Sequence, residues 1–175
     1  MYFGQTEVSQ MRSSFDLAEK LTEKYFSLGA GGIKSHPYEV KTLIELREHE
    51  VHEKAFAHLC KYYVPEKSSI SGNAGFSFYK VCLQDNRILD AVTRGGSFIK
   101  FAPLMLYIAL HEMVHVVRFG SGAVDFEAPE DQKREEEERV NVLTRGILKP
   151  VADRELNLVI DCFNDCYHIG DIFNN

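Results

Sequence analysis

Two histidines four residues apart, His111 and His115, enclose Glu112 in the array His-Glu-Met-Val-His. On an α-helix this spacing sets both imidazoles on one face about one turn apart, where they can bind a single ion. Glu112, one position past the first histidine, would then reach a water on that ion and is placed to take its proton. The array lies inside the apolar stretch Phe101 to Phe119, FAPLMLYIALHEMVHVVRF. There Leu104, Ile108, Ala109 and Val116 extend a surface that would bury the helix, as a metal site screened from bulk water requires.

A catalytic zinc takes three protein ligands and leaves the fourth position to water. No histidine follows His115 until His168, and Arg118 stands where the longer array that supplies a third histidine has glycine. A carboxylate is the remaining donor type, and the run Glu135-Glu136-Glu137-Glu138 is its nearest source. Stepping back from Val140, the first member of an apolar stripe with Leu143 and Ile147, reaches Glu136 and Glu137 on the same helix face. Glu137 is favoured because Asn141, four residues on, can orient a liganding imidazole; Glu135, Glu136 and Glu138 stay open. The same run also suits the start of a helix, whose positive dipole end favours acidic residues.

The array at 111 to 115, followed by Glu137-Glu-Arg-Val-Asn141 and then Ile147-Leu-Lys-Pro150, resembles the gluzincin metallopeptidases, loosely their ImmA/IrrE branch, in which the zinc glutamate precedes an Asn or Asp by four. The likeness spans His111 to Pro150 with some flank. It departs at Val140, where a small residue is expected, and residues 1 to 75 carry no signature of the family. The resemblance implies a zincin-like domain that hydrolyses peptide bonds in a peptide or protein substrate, with Zn2+ on His111, His115 and Glu137 and with Glu112 as general base. His168, Arg118 or a tyrosine would steady the oxyanion. Two other functions compete: a non-catalytic or regulatory protein that keeps the metal for stability, and a helical interaction domain without metal.

Bulk properties narrow the field. With 175 residues, 45% of them hydrophobic, the chain suits a single domain over 1–175. A net charge of -6 and the absence of any basic run argue against a nucleic-acid surface. No apolar run approaches the ~18 to 20 residues that span a bilayer, and Met1-Tyr-Phe-Gly-Gln-Thr-Glu7 lacks the pattern of a secretory signal. The expectation is a cytoplasmic protein without membrane or nucleic-acid partners. Cys60, Cys82, Cys162 and Cys166 form no C-x-x-C pair and read as reduced thiols. Cys162, Cys166 and His168 could share a metal, but small buried residues on a C-terminal helix explain the two cysteines more simply.

Around these residues the periodicity predicts an α+β, predominantly helical domain. Val8, Met11, Phe15, Ala18, Leu21, Tyr25 and Leu28 mark a first helix that ends at Gly29-Ala-Gly-Gly32. Pro37 opens a second, with Val40, Leu43, Ile44, Val51, Phe56, Leu59 and Tyr62 as its stripe, and Pro65 closes it, so that the N-terminal region, residues 1–65, is helical. His49, His52 and His58 then fall on a charged, solvated face. Phe76 to Leu83 and Arg87 to Val92 flank Gln84-Asp85-Asn86 as a hairpin beside the active-site helix, although a short helix from Val81 to Val92 would use the same residues. Ser97 caps the helix that carries the array, Val124 to Lys133 forms an exposed acidic connector, the next helix starts near Asp131, and Pro150 opens the last.

Overall fold

The computed structural model describes residues 1–65 and 75–163. Its centre is α3 (Phe101–Gly120), in which every residue from Tyr107 to Val117 is buried. A helix apolar all round must be covered on every side, and each neighbour supplies one covering face. Along one side lies α1 (Gln5–Phe26), whose buried Met11, Phe15, Ala18 and Thr22 recur every three or four residues. α2 (Asp85–Gly95), α4 (Glu130–Leu148) and α5 (Arg154–Cys162) pack on α3 through Ile88 and Ala91, through Val140, Thr144 and Ile147, and through Leu156, Val159 and Ile160. The N-terminus of α5 is capped by Asp153, which accepts the Leu156 N–H at 2.8 Å.

A mixed three-stranded sheet closes the remaining side. Its order is β1 (Tyr38–Lys41), β3 (Gly75–Leu83), β2 (Ala57–Pro65), with β1 parallel and β2 antiparallel to the central β3. Alternation sorts β3 by face. Tyr79, Val81 and Leu83 belong to the core, and Tyr79 stacks on Phe119 of α3 with ring centroids 6.1 Å apart. Phe78, Lys80 and Cys82 look the other way, where Phe78 stacks on Tyr62 of β2.

Several expectations change. The helix over 37–65 is replaced by β1, two short 3-10 turns and β2. Its supposed stripe spans residues on both sides of the surface, for Ile44 and Val51 are exposed while Phe56 is buried. Tyr62, Tyr63 and Val64 have the branched and aromatic side chains that a pleated surface favours, and the apolar spacing coincided with a helical period by chance. The strand expected over 87–92 is the helix α2, and the hairpin partner of β3 is β2. Gln84 is no turn tip: fully buried, it donates to the Glu50 and Cys82 carbonyls and accepts the His52 N–H. Lys100, in extended conformation and without a side-chain cap, stands at the N-cap of α3 in place of Ser97. Cys166 and His168 lie outside the described residues, and Cys162 is exposed, not buried. Among the described residues no helix is long and apolar enough to cross a membrane.

On the outer sheet face the segment before β2 is fixed by one buried carboxylate. Burial pushes the Glu50 carboxyl up, but the Arg47 N–H, the Lys80 ammonium at 2.7 Å and the Tyr62 hydroxyl outweigh it and hold the pKa at about 2. A carboxyl held below its unfolded value stabilises the fold while ionised. Its contribution is therefore complete above the ordinary value of 4.5 and is lost as the pH falls towards 2. Glu50→Gln, which leaves the Lys80 ammonium only the more distant Glu39 carboxylate at 3.6 Å, should lower stability at neutral pH by about 2 to 4 kcal/mol. Denaturant titrations of the two proteins at a series of pH values should show that difference shrinking across the same acid interval; a constant offset would assign the stabilisation to packing.

Candidate metal centre

The site is built from two helices. α3 presents His111 and His115 on one face, buried at 3% and 5% exposure. α4 crosses beside it and brings Glu137 to both rings: His115 Nε2 lies 3.0 Å and His111 Nε2 3.4 Å from its carboxylate oxygens, and the two Nε2 atoms are 3.2 Å apart. Around a tetrahedral zinc with bonds of about 2.0 to 2.2 Å, such donors would stand roughly 3.3 to 3.5 Å from one another. The three donors fit a zinc-sized ion with little adjustment.

The register of α4 explains which glutamate arrives. Glu136, Val140 and Thr144 are spaced by four and form its buried stripe, so Glu137 falls at the edge of that stripe, half-exposed and facing the cleft. Glu135 and Glu138 are exposed and stand apart from the imidazoles. Glu136 has a different task. Its carboxylate receives Arg118 Nε at 2.5 Å and Nη2 at 2.8 Å, a two-point clamp from α3 to α4 one residue before Glu137. Arg118, an expected oxyanion donor, is thereby committed to a positioning role.

The electrostatics follow from burial and proximity. Burial raises the Glu137 carboxyl, yet the hydrogen bonds and charges of His111 and His115 outweigh it and hold it well below the carboxylate range. Burial disfavours charge on His115, but Glu137, followed by Glu112 and Glu136, raises its pKa overall. Glu112, at 4% exposure, is raised by burial, with the two imidazoles opposing and Glu137 adding to the rise. A carboxylate so placed is a stronger base than an exposed one.

Asn141 does not orient an imidazole. Nδ1 of His111 and Nδ1 of His115 have no hydrogen-bond partner among the described residues. Stacking does some of that work: His115 lies on Phe119, rings 8° from parallel with centroids 5.4 Å apart, and Phe119 meets Phe126 edge-on. The amino-acid pattern carries no signal for this wall, and none for the Arg118–Glu136 clamp beyond the position of Arg118 one turn past His115.

The donors open on a cleft of about 410 Å³. Glu112 and Glu137 line it together with Ala57, His58 and Leu59 of β2 and with Asp125 and Phe126 of the connector. β2 is an outer strand of the sheet, with one edge unpaired among the described residues. Comparison of the chain with protein-family models, with curated proteins and with solved structures gives no match.

Proposed function

We propose that the chain is a zinc-dependent peptide-bond hydrolase with a zincin-like domain, its gluzincin-type ligands being His111, His115 and Glu137. The observation that carries this reading is the meeting of two buried imidazoles and one carboxylate beside the buried Glu112 in the wall of an open cleft. Zinc held by these residues would supply Lewis acidity, acidifying water and polarising the scissile carbonyl. Glu112 takes the proton from the attacking water and passes it to the departing amine. The unpaired edge of β2 can hold an extended peptide through main-chain hydrogen bonds, while Leu59, Phe119 and Phe126 offer apolar surface to its side chains.

Digestion of a degenerate peptide library by the purified chain tests the reading. Cleavage is expected with zinc, is expected to stop with a chelator, and should return when zinc is restored. Zinc bound without cleavage of any peptide would replace it by a regulatory metal-binding protein, and cleavage indifferent to the chelator would exclude the metal from the chemistry.

A further inference from the structure

A second group of donors lies on the outer face of the sheet. His58 and Cys60 alternate along β2, and Cys82 of β3 stands opposite His58, so all three side chains emerge on one face. Cys60 Sγ is 3.8 Å from Cys82 Sγ and 3.6 Å from His58 Nε2, and the three donor atoms lie within 4.8 Å of one another. A tetrahedral ion with metal–sulfur bonds of about 2.3 Å and a metal–nitrogen bond of about 2.05 Å would separate its sulfurs by about 3.8 Å and sulfur from nitrogen by about 3.6 Å. Both observed separations meet those values.

We propose that His58, Cys60 and Cys82 form a second metal site, selective for a soft divalent cation of the zinc class. Two thiolates and a neutral imidazole leave a dication with no net charge, which suits a site where Cys82 is fully buried and Cys60 half-buried. His52 is close, its ring 5.5 Å from that of His58, but its Nδ1 accepts the Lys54 and Ala55 N–H groups. That fixes its proton on Nε2 and excludes it as a donor, so the fourth position falls to solvent. The site would pin β2 to β3 where β2 begins to line the cleft, and His58 belongs to both. It is independent of the His111–His115–Glu137 centre in chemistry, because only this one offers sulfur.

Titration of the full chain, reduced and stripped of metal, with Co2+ under anaerobic conditions distinguishes the two sites. Two equivalents are expected, one of them producing the thiolate-to-cobalt charge-transfer band in the near ultraviolet. That band should vanish in Cys60→Ser and Cys82→Ser, and it should survive in His111→Ala and in the double variant Cys162→Ser/Cys166→Ser. Should the buried Cys82→Ser fail to fold by circular dichroism, the half-buried Cys60→Ser decides. Absence of the sulfur band from the wild-type chain overturns the proposal, as does its persistence in Cys60→Ser or its loss in Cys162→Ser/Cys166→Ser. A sulfur band present without the His111-dependent equivalent would uphold this site and remove the catalytic one.

Discussion

Glu112→Gln is expected to lower peptide cleavage by about 10² to 10⁴, the range a positioned general base contributes, while the chain keeps its zinc and its fold. Glutamine preserves the size of the side chain and its place in the wall of the cleft but cannot accept a proton. The effect should fall on kcat and on kcat/KM alike, since the proton is transferred only on the way to the transition state. Glu112 has no hydrogen bond to His111, His115 or Glu137, so the substitution leaves the proposed donor set untouched. Single-turnover cleavage read beside elemental analysis checks both halves: full activity with zinc in place would dismiss Glu112 as the base, and loss of the zinc would make it a structural residue.

Glu137→Gln should weaken zinc binding at the helical centre by more than about a hundredfold. Loss of a group that merely supports a ligand already costs ten- to a hundredfold in metal affinity, and here the ligand itself and its charge are removed. The dication would be left with two neutral imidazoles. Glu135→Gln and Glu138→Gln, both exposed and apart from the rings, should leave affinity unchanged. Competition with a chromophoric chelator measures all three; equal losses across the three variants would show a general charge effect and remove Glu137 from the donor set.

Much of this centre was legible because it rests on one period. His111 and His115 are four apart on a helix whose neighbours are apolar, and the 3.6-residue repeat alone puts their rings together. Glu137 was only half legible: the stripe through Val140 narrowed the acidic run to Glu136 and Glu137, but which of them turns inward depends on how α4 rolls against α3. Arg118 fastens Glu136 on the inner side of that contact, and the two lie 18 residues apart in sequence, so the pairing leaves no local trace. Asn141 pointed to Glu137 and yet reaches neither ring, so the choice of Glu137 rested on a contact the fold does not make. Residues 37–65 went astray for another reason. Apolar residues at Val40, Leu43, Ile44 and Val51 satisfy a helical spacing, whereas long-range pairing with β3 makes strands of Tyr38–Lys41 and Ala57–Pro65 and leaves Leu43, Ile44 and Val51 to the turns between them. The sulfur and imidazole cluster was invisible for the same reason, since Cys82 meets His58 and Cys60 only once the strands are in register.

The Arg118–Glu136 clamp would give metal uptake at the proposed site a mechanical meaning. Two of the proposed donors ride on the central helix and the third on a neighbour, and the guanidinium grip one residue before that third donor ties the neighbour down alongside the packing of Val140, Thr144 and Ile147. On the proposed metal reading, occupancy of the site and docking of α4 would be linked: loosening the grip would weaken the site, and a bound cation would in turn fasten α4 to the body of the protein.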